Sequence, residues 1–434
     1  MSTIKEIRSR WVLDSRALPT IEADVILADG SFGRGTVPSG ASTGSHEALE
    51  LRDKTKDFGG KHVLKALSNI KKNIAPALIG MDALDQKAID QRLIELDGTP
   101  NKSNLGANAI LAVSMATARA SAQFVNQPLY AYLAQLASRG DKYVLPLPMC
   151  NVINAGKHGS GGIAVQEFMI APVGASSFQE GLKWVAEVYQ TLKKLMKENF
   201  GENTTLLGDE GGFSGVKGKV RDALNVLVEA IEKTGYKTKN EIAFALDPAA
   251  SEFYDGTTKM YKIDGQFLDS TQLSDYWVAL TKEYPIFSIE DGLAEDDWAG
   301  WINFLNKAPN MQIVGDDLLV TNVERIKDAL SKNACNALLL KVNQVGTLTE
   351  SIEAFHLMLE KGFPTIVSHR SGETEDTFIS HLAVGLGNGQ IKTGAPARGE
   401  RTAKYNELIR IEESLLGSSK YTFTGQNYSS VFKK

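Results

Sequence analysis

Short apolar runs recur through the last two thirds of the chain, each followed by a longer mixed segment. Eight runs can be distinguished: PLPMCNVIN, AVQEFMIAP, EIAFALD, PIFSIED, MQIVGDD, ALLLK, PTIVSH and GQIKTG. The segments between the last six are long enough for a helix and two loops, as consecutive parallel strands require. The pattern therefore predicts βα units in succession, which a β/α barrel would contain.

The first 140 residues follow a different pattern. IEADVILADGSFGRGTV alternates apolar and polar residues on both sides of Asp29-Gly30, which predicts a β-hairpin. A loop rich in Gly and Ser, PSGASTGSHE, and several helical stretches follow it. Strands followed by helices predict an α+β domain. With ASRGDKYVLPLP as the boundary, we expect domains at 1–138 and 139–434, a division that leaves enough residues for a barrel of about 250.

Composition and charge exclude several classes of protein. The 434 residues are 43% hydrophobic and 23% charged, with a net charge of −5, so neither nucleic acid nor an anionic membrane is an expected partner. Two cysteines favour a reducing compartment, and the N-terminus lacks the apolar core of a signal peptide. LGANAILAVSMATARASA is interrupted by Asn108, Ser114 and Arg119, which favours a closely packed helix over a membrane span. We expect a cytoplasmic protein without membrane insertion.

Each of the last six apolar runs ends on a titratable residue. Successive members lie 23 to 28 residues apart, except for a first interval of 43 that leaves room for an insertion. One polar residue at a strand end is commonplace, but the ends of barrel strands converge on one mouth, where active sites lie. The pattern favours a site composed of Asp247, Glu290, Asp316, Lys341, His369 and Lys392.

The three acids of this row suggest a hard divalent cation. Mg²⁺ prefers oxygen ligands in octahedral geometry, whereas zinc more often takes histidine or cysteine, and no HExxH or CxxC spacing occurs. Any one of the acids could instead cap the helix that follows it. The trio together favours metal binding.

Lys341 alone could be a lysine whose stem is buried beside the strand while its ammonium reaches water. A free lysine has a pKa of about 10.4 and is a poor base at neutral pH. Burial, a metal ion and the nearby Lys392 would each disfavour the ammonium, so we expect a lowered pKa for Lys341. Such a lysine can remove a proton from carbon if a divalent metal stabilises the resulting carbanion.

Three further segments carry candidate residues. SHRSGETED places Arg370 and Ser371 after a strand, where a guanidinium and a hydroxyl suit a phosphate or carboxylate. GDEGGFSG places Glu210 among glycines, which allow close approach of a ligand. His158 could be an exposed loop histidine, whereas Glu167 lies in an apolar run, where a buried carboxylate is unfavourable unless paired.

Several segments together resemble the enolase family over nearly the whole chain. They are LLLKVNQVGTLTES, SHRSGETED, GDEGGF, SIEDGL, GDDL, SGASTGSHEALELRD and GTPNKSNLGANAILAVSMA. The resemblance implies an α/β protein with a modified (β/α)8 barrel of order ββαα(βα)6 and a smaller N-terminal α+β capping domain. It also implies a glycolytic hydro-lyase that reversibly dehydrates 2-phospho-D-glycerate to phosphoenolpyruvate.

The resemblance further implies two Mg²⁺ per active site. Asp247, Glu290 and Asp316 would hold the tighter ion. The second would bind together with substrate and with Ser39, on a mobile loop that closes over the site.

It implies roles for the remaining candidates as well. Lys341 would remove the C2 proton while Lys392 holds the substrate carboxylate. Glu210, assisted by Glu167, would protonate the leaving C3 hydroxyl, which requires a raised pKa that we expect from crowding with Glu167. His158 and His369 would line the same side. Expected substrate contacts are Arg370, Ser371, Lys392, His158, Glu167, Glu290 and Asp316.

The sequence departs from the usual family pattern at two places. SRALPT, residues 15–20, replaces SRGNPT on a strand at the subunit contact, and NAGKHGSGG places Ala155 where glycine is usual. No proposed metal, acid or base position is substituted. A homodimer is expected, with assembly of dimers into a larger oligomer as an alternative.

Two other functions are compatible with parts of the sequence. Related enzymes that dehydrate or racemise sugar acids often carry Lys-x-Lys at the end of the second barrel strand, but Lys217-Gly218-Lys219 does not close an apolar run. A binding role, as a surface receptor or in an RNA-processing assembly, would use the terminal Lys433-Lys434. Because every catalytic position is filled, such a cell-surface or secreted role would be additional.

Overall fold

The computed structural model describes residues 1–40, 44–387 and 389–424. Its N-terminal part contains a three-stranded antiparallel sheet of order β1-β2-β3. The hairpin predicted at Asp29-Gly30 is present, and Gly30 takes the positive φ of 97° that this turn requires. The strands are β1 Ile4–Leu13, β2 Pro19–Leu27 and β3 Phe32–Thr36.

Helices follow this sheet in the chain, and the small-residue helix packs closest to it. A Cβ at Gly33 would lie 2.0 Å from the carbonyl oxygen of Ala116, so only glycine permits this approach of strand to helix. The predicted packing helix is therefore confirmed. Within the described residues, no helix combines the length and apolarity needed to cross a membrane. The helices are α1 Leu64–Asn69, α2 Ala75–Leu78, α3 Gln86–Asp97, α4 Ala107–Phe124 and α5 Leu129–Leu136.

The rest of the chain forms a closed barrel of eight strands. Strands β5 and β6 pair antiparallel, as do β6 and β8, and the remaining neighbours are parallel. The last strand of the barrel, β16, pairs with β5 and closes it. All eight apolar runs are therefore barrel strands. They are β5 Leu147–Asn154, β6 Glu167–Ala171, β8 Ala243–Asp247, β12 Ile286–Glu290, β13 Gln312–Gly315, β14 Ala337–Leu340, β15 Thr365–Ser368 and β16 Gly389–Lys392.

Helices alternate with strands as the order ββαα(βα)6 requires, which confirms the predicted fold class. They are α6 Phe178–Phe200, α7 Val220–Thr234, α8 Ser270–Glu283, α9 Trp298–Lys307, α10 Val323–Lys332, α11 Val342–Val345, α12 Leu348–Glu360, α13 Phe378–Leu386 and α14 Gly399–Leu415. The insertion after Asp247 is a small antiparallel sheet of β9 Tyr254–Asp255, β10 Met260–Ile263 and β11 Gln266–Leu268. Short strands β4 Tyr143–Leu145, β7 Phe213–Ser214 and β17 Tyr421–Phe423 complete the set.

A cluster of apolar side chains on the barrel strands fills the barrel below its mouth. It includes Met149, Met169, Phe287, Leu339 and Ile366, all buried. Because these side chains occupy the barrel interior, a ligand can be bound only above them, at the ends of the strands.

The two departures from the family pattern differ in backbone conformation. Ala17, in SRALPT, has a φ of +57°, a region in which alanine is strained and glycine is not. Ala155, in NAGKHGSGG, has a φ of −135°, which any residue adopts. The second substitution therefore introduces no backbone strain.

Candidate active site

The barrel brings the six predicted strand-end residues to one end of the sheet. Asp247, Glu290 and Lys392 are the last residues of their strands. The other three follow directly after β13, β14 and β15. Because β8 and β12–β16 run parallel, all six lie at the same mouth. The juxtaposition predicted from their spacing is therefore present.

A small, partly open cavity of ≈ 30 Å³ lies at this mouth. This volume holds only a few water molecules, so the site must open to admit a substrate. Most of the predicted site residues line it, and the lining includes two aspartates, a glutamine, an alanine and a serine beyond them. The lining residues are His158, Gln166, Glu167, Glu210, Asp247, Ala249, Asp291, Asp316, Asp317, Lys341, Ser368, His369, Arg370, Ser371 and Lys392.

Lys392 lies at the centre of three carboxylates. Its Nζ is 2.9 Å from Asp247 Oδ2, 2.9 Å from Glu290 Oε1 and 3.0 Å from Glu167 Oε2. Burial opposes the charged ammonium, but these carboxylates raise the pKa of Lys392 well above its usual value. Burial and the Asp247 charge together raise the pKa of Glu290 well above normal. One positive charge is thus shared by three acidic groups.

Lys341 is paired with Asp316, their Nζ and Oδ2 atoms lying 2.5 Å apart. Burial would lower the pKa of Lys341, but the Asp316 charge raises it above its usual value. The expectation of a lowered pKa included a bound metal ion and stays a prediction for the metal-bound site; without the ion, the carboxylate of Asp316 outweighs burial and Lys392. Lys341 can act as a base at neutral pH only when Asp316 is neutralised by another partner.

Two further carboxylates, those of Glu167 and Glu210, face two histidines. His158 Nδ1 lies 3.2 Å from Glu167 Oε1 and 3.7 Å from Glu210 Oε1. His369 Nε2 lies 3.4 Å from Glu210 Oε2, to which Asn151 donates a hydrogen bond of 3.0 Å. His158 is buried, so the alternative of an exposed loop histidine is wrong.

The close packing of Glu167, Glu210 and the two histidines shifts the pKa values of both carboxyl groups. Burial favours a higher pKa for Glu210, but His369 and His158 hold it well below its usual value. Burial and the Glu210 charge raise the pKa of Glu167. The expectation of a raised pKa for Glu210 is therefore wrong in this arrangement, since the histidines were not included. The shared proton is held more readily by Glu167.

Arg370 is buried and already binds a carboxylate. Its Nη1 donates to Glu47 Oε2 at 2.9 Å and to Asn343 Oδ1 at 3.0 Å, and its Nη2 donates to Glu47 Oε1 at 3.1 Å. This two-pronged contact shows that the guanidinium is oriented to grip an anion with paired oxygens. Glu47 belongs to the Gly- and Ser-rich loop, of which residues 41–43 lie outside the described residues.

Ser39 does not line the cavity. Its hydroxyl accepts hydrogen bonds of 3.1 Å from Arg16 and from Arg52 and donates one of 3.0 Å to Glu50. Its backbone pairs with Gly372, just after the phosphate-site candidates. Ser39 and Glu290 are thus the two predicted site residues that are not among those lining the cavity, although Glu290 contacts Lys392, which does line it.

A compact acidic group on the cavity wall was not predicted. Ligand atoms of Asp291, Asp316 and Asp317 lie within 4.8 Å of one another, and Asp291 also accepts the backbone N–H groups of the other two at 2.9 and 2.8 Å. Burial and the Asp316 charge raise the pKa of Asp317 to about 8. The adjacent acids in SIEDGL and GDDL are a signal that could have identified this group.

Other residues in or beside the cavity had no such signal. Asn151, Gln166 and Glu47 are ordinary polar residues in the sequence, and only the fold brings them to the site. Lys217, from the Lys-x-Lys considered above, forms an isolated antiparallel β-bridge with Gly162. It is not among the residues that line the cavity. The alternative of a sugar-acid enzyme gains no support.

The fold and the mouth define a barrel enzyme with an oxygen-rich acidic site for a cation and an anionic substrate. Comparison with known proteins specifies it further. Family models described as "Enolase, N-terminal domain" and "Enolase, C-terminal TIM barrel domain" match residues 4–133 and 142–431.

Curated relatives are similar along almost the whole chain. Enolase of Methanocaldococcus jannaschii is 54% identical over 430 residues, and enolase of Methanococcus vannielii is 52% identical over 429, each covering 99% of both chains. Enolase of Thermococcus gammatolerans is 53% identical over 419 residues, 96% of both. The chain belongs to the enolase family and is a hydro-lyase.

Proposed function

We propose that the chain catalyses the reversible dehydration of 2-phospho-D-glycerate to phosphoenolpyruvate and water in glycolysis. The observation that carries this proposal is a single cavity lined by an amine, a carboxylate pair and a buried arginine, here Lys341, Glu167 with Glu210, and Arg370. This reaction needs an amine that removes a proton and an acid that protonates a leaving group. It also needs a guanidinium that binds a phosphate.

The acidic residues at the mouth fit Mg²⁺. They offer oxygen ligands, and Glu290 Oε2 is buried with no hydrogen-bond partner among the described residues, as expected of an atom reserved for a cation. We propose Asp247, Glu290 and Asp316 as ligands of one Mg²⁺. When bound, the ion supplies positive charge that stabilises the negative charge developing on the substrate carboxylate.

A second Mg²⁺, bound together with substrate, is proposed to use Ser39. Because the Ser39 hydroxyl is engaged by Arg16, Arg52 and Glu50, this role requires the loop to rearrange. The small volume of the cavity supports such a movement.

Lys341 is proposed to remove the C2 proton. Its Nζ must first be released from Asp316, which would follow if that carboxylate held a cation. Lys392 is proposed to hold the substrate carboxylate, and it too must exchange its acidic partners for the substrate. The same event therefore prepares both lysines.

Glu210 is proposed to protonate the leaving hydroxyl at C3. Glu167 supplies the proton that the pair shares, and His158 lies between the two carboxylates at 3.2 and 3.7 Å. His369 faces the opposite oxygen of Glu210. Arg370 and Ser371 are proposed to bind the phosphate, which must displace Glu47 from the guanidinium.

The reaction is tested by following phosphoenolpyruvate absorbance with 2-phosphoglycerate, beside a panel of sugar acids, with and without Mg²⁺. We expect turnover of 2-phosphoglycerate alone, lost on chelation and restored by Mg²⁺. Turnover of a sugar acid with no activity on 2-phosphoglycerate would overturn the proposal.

A homodimer is proposed through the edge of the N-terminal sheet. Edge strand β1 exposes Trp11 and Leu13, whose exposed fractions are 43% and 55%, and Trp11 stacks edge-on against the exposed ring of Phe58. An apolar edge strand is usually covered by a partner.

Sedimentation should give a dimer for the wild type and a monomer for Trp11→Glu, whereas Phe267→Glu, at an exposed position elsewhere, should leave the dimer intact. A monomeric wild type would refute the interface, and an assembly larger than a dimer would show that dimers associate further.

A cytoplasmic location is proposed, supported by two buried free thiols, Cys150 and Cys335. An additional surface role through Lys433-Lys434 concerns residues outside the described part. Labelling of intact cells tests it, because protein confined to the interior is not labelled.

A further inference from the structure

Arg401, on α14, is a buried arginine that contacts two loops of the active site. Its Nη1 donates to His369 Nδ1 at 2.5 Å and to the carbonyl of Arg370 at 2.6 Å. Its Nη2 donates to the carbonyls of Ser371 at 2.6 Å and Asp209 at 3.0 Å. One guanidinium therefore joins the segment after β15 to the segment that carries Glu210.

The contact with His369 determines where that ring can carry a proton. A guanidinium only donates hydrogen bonds, so Nδ1 must accept and cannot be protonated while the contact persists. The neutral ring then carries its hydrogen on Nε2, and the doubly protonated ring is excluded. Nε2 lies 3.4 Å from Glu210 Oε2, so it is the ring nitrogen that faces the carboxylate, although the two atoms form no hydrogen bond in this arrangement.

The same oxygen of Glu210 accepts a hydrogen bond. Asn151 Nδ2 donates to Oε2 at 3.0 Å. Because Oε2 accepts from Asn151 and is faced by the Nε2–H of His369, a proton held by Glu210 belongs on Oε1, the oxygen that lies 3.7 Å from His158.

We propose that Arg401 is a positioning residue that fixes His369 as the Nε2–H tautomer and thereby directs the transferable proton of Glu210 to Oε1. This inference rests on the proposed role of Glu210. In the step concerned, the O–H bond at Oε1 breaks as the leaving oxygen takes the proton. The C3–O bond breaks with its electron pair on that oxygen, and the pair at C2 forms the C2–C3 double bond as water departs.

The chemistry of the contacts supports a role beyond holding the loops. The segments are already joined by backbone hydrogen bonds, from Ala395 N to Glu210 O at 2.9 Å and from His369 N to Lys392 O at 3.0 Å. Burial, opposed by Glu210 and assisted by the Arg401 charge, lowers the pKa of His369 to about 4, in agreement with a neutral ring.

The tautomer is tested by nitrogen NMR of the wild-type protein labelled in its histidine rings, with His369 identified by the signal lost in His369→Gln. We expect an unprotonated Nδ1 and a protonated Nε2. In Arg401→Lys the Nδ1–H form should appear, whereas Arg410→Lys, at an exposed position of the same helix, should give the wild-type spectrum. A protonated Nδ1 in the wild type would overturn the inference, and this measurement needs no variant that might fail to fold.

Kinetics separate positioning from general support of the fold. Arg401→Lys should lower kcat for dehydration on the order of 10–100-fold, the usual effect of losing a partner that orients a histidine, while C2 proton exchange changes less than about threefold. In the His369→Gln background the same change should have little further effect. Equal losses in both backgrounds, or parallel loss of exchange, would overturn the inference.

Different results would contradict the proposed role of Glu210 and the proposed role of Arg401. If Glu210 is not the acid, Glu210→Gln retains dehydration while the tautomer of His369 is as expected. If Arg401 does not fix the tautomer, the nitrogen spectrum shows it whatever the role of Glu210.

Discussion

The ammonium of Lys392 lies 2.9 Å from a carboxylate oxygen of Glu290, although the two residues end barrel strands 102 residues apart in the chain. Both are buried, and Asp247 and Glu167 share the same ammonium. The positive charge of Lys392 therefore keeps together an acidic set that would otherwise repel. A cation held by this set would compete with Lys392 and would free its ammonium to contact the substrate.

Lys392→Met should reveal how much this charge contributes. Removing one partner of a buried ion pair typically costs 3–5 kcal/mol, because the remaining charges are left uncompensated. We expect a loss of stability of about that size without Mg²⁺ and a larger rise in Tm on adding Mg²⁺ than in the wild type. Thermal unfolding with and without the ion measures both.

Lys332→Met is a matched control, since that lysine pairs with Asp328 on an exposed helix surface. It should change stability by less than about 1 kcal/mol. An equal effect of Mg²⁺ on the Tm of Lys392→Met and the wild type would show that the ion does not replace the ammonium.

Lys341→Ala should abolish exchange of the C2 proton of 2-phosphoglycerate with solvent, because the amine that accepts it is removed. Mg²⁺ binding should persist, since Asp316 loses only a competing partner. Proton NMR in deuterated water measures the exchange and calorimetry the binding. Exchange at the wild-type rate would show that another group is the base.

Glu210→Gln should have the opposite effect. Exchange at C2 should continue, while dehydration falls on the order of 10²–10³-fold, the scale of losing one interaction that stabilises a transition state. Glu413→Gln, an exposed position, is the control. Loss of exchange together with dehydration would remove Glu210 from the role of acid.

The barrel strands and the strand-end residues were predictable because they follow local rules. Apolar runs at the spacing of βα units specify the strands, and parallel pairing then fixes the side on which Asp247, Lys341 and Lys392 meet. Neither step requires knowledge of contacts between distant residues. The predicted row of six therefore lies at one mouth.

The charge states could not be predicted in this way. Whether the pKa of Lys341 rises or falls depends on the distance to Asp316, which no spacing in the sequence encodes. Glu47 and Arg370 lie 323 residues apart, and Arg401 reaches His369 from a helix beyond the last barrel strand. Such partners become evident only when the loops are packed.

Asp90 joins the N-terminal domain to α12, the second of the two helices that follow strand β14. It is fully buried, and its Oδ2 accepts hydrogen bonds from the backbone N–H and hydroxyl of Thr349 at 2.9 and 2.6 Å. Its Oδ1 accepts from Ser114 at 2.6 Å and from Gln86 at 3.0 Å. Burial raises the pKa of Asp90 to about 6, against the lowering effect of these donors.

This shift predicts the pH dependence of stability. Because the folded pKa exceeds the unfolded value of about 3.9, the stability contributed by the protonated group is complete below that pH. It is lost as the pH rises through 6. Two pKa units correspond to about 3 kcal/mol, and Asp90→Asn, which does not titrate, should lack this loss. Relative to the wild type, the variant should therefore gain about 3 kcal/mol between pH 4 and pH 7.

Denaturant unfolding of both proteins across this range measures the difference, since other titrating groups contribute equally to each. Thr349→Val provides a matched test in the opposite direction. It removes a hydroxyl that stabilises the ionised carboxylate, so its stability should fall more steeply with pH than that of the wild type. Parallel curves for all three proteins would mean that Asp90 titrates alike in the folded and unfolded chains, in which case its burial is compensated in full by the four donors around it.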